Sequence, residues 1–137
     1  MSFPPLKYFK ASEFPKDPSR VADALLHKLD AVRDLAGLPI HIHVAWDNDG
    51  HSPNSYHYRG MAADLHFASG LDHSRELEIL ETVGFGGIGF YPEWRPRPGF
   101  HVDIRAGNLV RWTRIKGIYR YMTPVELAGE VKKHDPR

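Results

Sequence analysis

The sequence predicts an α+β domain: a small antiparallel sheet with helices packed on one face and a candidate site on the other. Three observations predict it. Helical periodicity is confined to a few segments, near residues 17–37, 72–83 and 123–134. Short segments with an apolar residue at every second position lie between and after the first two helices. The alternate positions in these strands are His and Asp, which make a poor packing surface and a good site. A length of 137 residues fits one domain over 1–137, large enough to bury a core without staples.

In "DPSRVADALLHKLDAVRDLAGLP", Val21, Leu25, Leu29, Val32 and Leu35 recur at helical spacing. Asp17 or Ser19 can cap the start, and Gly37 followed by Pro39 ends the helix. "IHIHVAW" alternates, with Ile40, Ile42 and Val44 on the buried face and His41 and His43 opposite. "DNDGHSPNS" is a loop by composition. "MAADLHF" is the next strand, with Ala63, Leu65 and Phe67 on one face and Ala62, Asp64 and His66 on the other. A second helix over Asp72 to Val83 is stopped by Gly84. "GGIGFY" reads as a glycine-rich strand and "EWRPRPG" as a loop. "FHVDIR" puts Phe100, Val102 and Ile104 inward and His101, Asp103 and Arg105 outward. "NLVRW" is expected to pair back on it as a hairpin across Ala106-Gly107-Asn108. Thr123, Pro124 and Glu126 form an N-cap, a first-turn proline and a capping-box partner for a last helix.

Composition is ordinary for a folded chain, with 42% hydrophobic and 26% charged residues. The absence of cysteine excludes thiolate zinc sites and disulfides. The net charge of +1 gives no case for a nucleic-acid partner, although the chain from Arg105 onward is basic. No run reaches the ~18 apolar residues of a membrane span. "MSFPPLKYFK" has no apolar signal-peptide core, so synthesis in the cytoplasm is expected, as a monomer. Nine histidines in 137 residues is the compositional oddity.

In "SYHYRGMAADLHF", a turn at Arg59-Gly60 would bring His57 beside the strand that carries Asp64, and the small Ala62 and Ala63 would let backbones approach closely. With His101 these offer two imidazoles and one carboxylate, a normal set for a catalytic zinc with one position left to water. The competing reading makes each a surface or supporting residue. Asp47 and Asp49 in "DNDG" have calcium-loop spacing but lack the glutamate that should close such a loop.

"SYHYRGMAADLHF" resembles the S-x-H-x-x-G-x-A-x-D signature of the zinc D-Ala-D-Ala carboxypeptidases and related murein endopeptidases. "GGIGFYP…GFHVDIR…VRW" resembles the second half of that family's pattern, and "YFKASEF" its opening. The resemblance covers about residues 7–112. It implies the small α+β zinc-peptidase fold shared with hedgehog signalling domains. It implies Zn2+ held by His57, Asp64 and His101, a loop shaped by Ser55 and Gly60, and hydrolysis of peptide bonds next to D-amino acids in peptidoglycan. Asp103 matches the aspartate after the last ligand. The chain departs from the pattern in three places. "HVAWDND" lacks the arginine that binds a substrate carboxylate, Pro98 stands where many members have a catalytic acid, and Gly99 stands where others have a histidine.

Asp103 is therefore the first candidate for general base, being on the strand face of His101; its alternative role is to orient that imidazole. Glu93 is the second candidate. Arg59, His43, Arg105 and His51 are available to bind substrate. Trp46, Trp94, Trp112, Tyr56, Tyr58 and Tyr91 flank the motifs, as cleft lining or as packing. Two functions follow. One is a zinc peptidase acting on peptidoglycan, for which a phage or prophage lysis enzyme is a natural setting. The other is a zinc-containing peptidoglycan-binding module that has lost catalysis.

Overall fold

The computed structural model describes residues 3–136. Its elements are α1 (Asp23–Ala36), β1 (Ile40–Val44), β2 (Ala62–Phe67), α2 (His73–Val83), β3 (Gly87–Tyr91), β4 (Gly99–Asp103), β5 (Val110–Ile115), β6 (Ile118–Met122) and α3 (Pro124–Lys132). The class is α+β. The six strands form one sheet in the order β1-β2-β4-β3-β5-β6. Among the described residues no helix is long and apolar enough to cross a membrane.

The core lies between the sheet and the helices. Leu25, Leu26, Leu29 and Val32 of α1, Leu77 and Leu80 of α2, and Leu127 and Val131 of α3 are buried in one cluster with Leu65, Phe67, Ile88, Phe90, Phe100 and Val102 of the strands. The period-2 pattern thus delivers one apolar face to the helices and leaves the other for chemistry. The N-terminal segment is tied across α1 by Asp30, whose carboxylate accepts from the backbone N–H groups of Lys7, Tyr8 and Phe9. Thr123 and Glu126 form the expected capping box at α3.

Four details differ from the expectations. The sheet is mixed, because β5 runs parallel to β3 while every other pair is antiparallel. "NLVRW" therefore does not form a hairpin with "FHVDIR". Strand β4 already has β2 and β3 on its two edges, so the chain crosses to the open edge of β3. Arg111 anchors it there from the core side, giving Nε and Nη2 to the Glu81 carboxylate and Nη1 to the Gly86 carbonyl. Helix α1 starts at Asp23, because the Asp17 carboxylate caps a separate 3-10 turn at Pro18–Arg20 and Val21 is extended. Finally, Val44 pairs with Asp64 and is half-buried, because a bulge between Ile42 and Val44 shifts the register by one residue.

Candidate metal centre

His57 arrives from a single 3-10 turn, Tyr56–Arg59. Ser55 caps it by accepting from the His57 N–H at 3.2 Å. Gly60 ends it with φ 67°, and a Cβ there would lie 1.9 Å from the Arg20 carbonyl oxygen. Only glycine fits. The Gly60 carbonyl in turn accepts from the Ala22 N–H at 2.9 Å, so the turn is docked on the entry to α1. This is how His57, seven residues before Asp64, comes to face it.

Asp64 and His101 are direct neighbours across the antiparallel β2–β4 pair. The Asp64 Oδ1 lies 3.2 Å from His57 Nε2 and 3.1 Å from His101 Nδ1. The other nitrogen of each ring is occupied. His57 Nδ1 donates to the Ala45 carbonyl at 2.9 Å, and His101 Nε2 to the Asp103 Oδ2 at 2.8 Å. In the neutral tautomers those bonds require, both facing nitrogens present lone pairs to a carboxylate oxygen. Three acceptors that converge without a donor need a cation or a proton between them. An ion bonded at about 2.0–2.1 Å with tetrahedral angles would separate its ligand atoms by about 3.3–3.4 Å. The two spacings to Asp64 come close to this, all three ligand atoms lie within 4.8 Å of one another, and this group could hold a metal ion.

In the metal-free protein, protons take the cation's place. Burial alone would lower the His101 imidazole, but the Asp103 and Asp64 carboxylates override it and raise it to about 9. Burial opposes the charge on Asp64 too, yet the two imidazoles hold it well below the usual carboxylate range.

The glycine-rich strand explains the second layer of the site. Gly87 and Gly89 face the site side of β3. A Cβ on Gly87 would sit 2.3 Å from the Asp103 carboxylate, and one on Gly89 would sit 2.4 Å from the Trp112 indole. The glycines make room for the two side chains that hold His101. The Trp112 ring packs 5.1 Å from the His101 ring, and its Nε1 donates to the Tyr91 hydroxyl at 3.1 Å. Burial pushes that hydroxyl's pKa upward.

Asp103 shares the face of His101 as expected, but it is fully buried and its oxygens are engaged. Besides His101 it accepts from Arg105 Nε at 2.8 Å and Nη2 at 2.6 Å. Burial would raise the carboxyl, but Arg105 and His101 hold it far below its ordinary range. This is the geometry of a residue that orients an imidazole. Glu93 is engaged in its loop by the Lys116 N–H at 2.9 Å and does not line the cavity.

The group opens on a cavity of about 910 Å³. Arg59 and Arg105 line it, as does His51. The Arg105 guanidinium lies 4.6 Å from the Tyr56 ring centre and 5.4 Å from that of Trp112. His43 lies elsewhere, in a recess of about 290 Å³ with Val44, Asp64, Trp94 and Arg95. The β5–β6 hairpin adds Arg114, Tyr119 and Tyr121 to the lining, which the sequence motifs did not point to. The alternation in "TRIKGIYRY" was the available signal. Asp47 and Asp49 hold no calcium-type loop. The Lys16 ammonium sits among them, paired to Asp47, 2.8 Å from the Asn48 Oδ1 and 3.6 Å from the Asp49 Oδ1.

Comparison of the chain with protein-family models, curated proteins and solved structures gives no match.

Proposed function

We propose that the chain is a zinc peptidase acting on peptide bonds next to D-amino acids in peptidoglycan. The observation that carries the reading is the convergence of His57 Nε2, Asp64 Oδ1 and His101 Nδ1 beside an open cavity walled by arginines and aromatic rings. Two imidazoles and one carboxylate are a set that catalytic zinc takes, and when bound zinc would supply Lewis acidity to a scissile carbonyl and to water.

The chain's own residues do the rest. Arg59 and Arg114 offer N–H pairs to a peptide carboxylate, while Arg105 spends its fork on Asp103 and contributes charge. Tyr56, Trp94, Tyr119 and Tyr121 offer flat apolar surface to the methyl groups and sugar rings of a cell-wall fragment. Asp103 keeps His101 in the tautomer whose Nδ1 lone pair faces the site. His51 is the proton carrier in this reading. Its Nε2 pairs with the Asp47 Oδ2 at 2.9 Å, and its ring stacks 4.4 Å from that of His57.

A binding module is the second reading. It is favoured by one observation: among the described residues lining the cavity, Asp64 is the sole carboxylate, and Asp64 belongs to the metal group.

The test is metal analysis of protein purified without chelator, followed by digestion of purified peptidoglycan and mass analysis of the products. One zinc per chain and release of peptide fragments are expected. The Asp64→Ala variant should lose both and still unfold cooperatively, since its neighbours Ala63 and Leu65 carry the packing on the other face. Full zinc with no cleavage of any fragment would replace the peptidase with the binding module. Absence of zinc would remove both readings.

A further inference from the structure

The sheet carries a second group of imidazoles apart from the one described. His41 and His66 are direct partners across the β1–β2 pair. His43 occupies the bulge between Ile42 and Val44, the extra residue that a bulge re-aims. It joins the other two, so that three rings from two strands gather at the β1 edge of the sheet. The centroids of His41 and His43 are 4.6 Å apart, those of His41 and His66 5.1 Å, and those of His43 and His66 4.5 Å. His43 Nε2 and His66 Nδ1 face one another directly.

Three imidazoles bound to one ion have a definite spacing. With nitrogens about 2.0–2.1 Å from the ion, tetrahedral angles place the ring centres about 5 Å from one another. The His57 and His101 rings, which flank the first group, are 5.2 Å apart. The edge cluster, at 4.5, 4.6 and 5.1 Å, stands at or somewhat inside that spacing. As placed, His41 offers no third converging nitrogen, but it is exposed and its ring has room to turn toward the pair already facing. His43, expected to bind substrate, lies outside the main cavity, and the proposed function uses none of the three side chains.

We infer that His41, His43 and His66 form a second metal site, for a divalent ion of the kind that prefers imidazole, such as zinc, nickel or copper. It is weaker than the first, since it has no carboxylate and one ligand must turn. An ion there would bridge β1 to β2, clamping the edge strand of the sheet about two residues from Asp64.

The test is a zinc titration by calorimetry, with a competing chelator to resolve the tighter ion. Wild type should take up two ions per chain, and Asp64→Ala should keep the weaker one. His41→Gln, at an exposed position that leaves packing alone, should weaken that second ion by at least about 10-fold. His41→Gln/His43→Gln should abolish it and leave the first ion in place. Zinc should also raise the melting temperature of Asp64→Ala, and not that of Asp64→Ala/His41→Gln/His43→Gln. Saturation of wild type at one ion that Asp64→Ala removes would overturn the inference. So would a second ion bound equally well by the double variant. An ion retained by Asp64→Ala and lost with the edge histidines supports this site whatever becomes of the peptidase.

Discussion

Replacing Asp103 with Asn separates an orienting residue from a general base, and its magnitude can be worked from the contacts. The carboxylate is fully buried and accepts from His101 Nε2 at 2.8 Å, Arg105 Nε at 2.8 Å and Arg105 Nη2 at 2.6 Å. All three partners are donors. An amide keeps one acceptor oxygen and turns an NH2 group toward another donor, so either orientation loses a charge-assisted bond. It also leaves Arg105 without its counter-ion. Breaking a buried ion pair costs about 3–5 kcal/mol. Arg105 is part-exposed and keeps its stacking on Tyr56 and Trp112, which places the cost near the lower end, about 3 kcal/mol. The His101 ring then loses the carboxylate that fixes its tautomer and keeps at most a neutral amide oxygen, and zinc affinity should fall by about 10–100-fold. Chelator competition measures the affinity and thermal denaturation the stability. Excess zinc should restore hydrolysis. Unchanged zinc affinity with hydrolysis lower by about 10²–10⁴-fold would refute this reasoning and make Asp103 the base.

Gly60→Ala should destabilise the protein by more than about 3 kcal/mol, because a left-handed alanine and a Cβ 1.9 Å from the Arg20 oxygen act together. It should also displace His57 and weaken metal binding, and a melting temperature within a degree of wild type would refute the account of this turn. The metal-free protein should lose stability as pH rises. His101 titrates at about 9 in the folded state against about 6.5 unfolded, so its contribution is full below pH 6.5 and gone above 9. The expected loss is on the order of 3 kcal/mol between those limits, read by denaturant unfolding at pH 6.5 and 9.5. The zinc-loaded protein should not show it, since the proton's place on Nδ1 is taken; equal slopes in the two forms would count against the ligand set.

The sequence by itself determined the elements and their faces. Period-2 runs at Ile40–Val44, Ala62–Phe67 and Gly99–Asp103 announced strands with one apolar side, because burial of alternate side chains is a local property of a pleated chain. The caps at Thr123 and Gly37 were equally local. The group of His57, Asp64 and His101, which could hold a metal ion, was legible for a similar reason: Asp64 and His101 fall on the non-core face of two strands, and Ser55 and Gly60 bracket the short turn that carries His57. What the pattern could not carry was the order of strands. The parallel β3–β5 pair depends on which sheet edge remains open once β2 and β3 have flanked β4, and nothing local in "NLVRW" encodes that, since the Arg111 anchor finds Glu81 and Gly86 only in the folded chain. The same holds for the role of Asp103. Two residues along a strand point the same way whether they orient or catalyse, and only the third dimension brings Arg105 onto that carboxylate and removes a side chain at Gly87 to make room for it. The gathering of His41, His43 and His66 also rests on a bulge, a one-residue slip that alternation alone would have drawn straight.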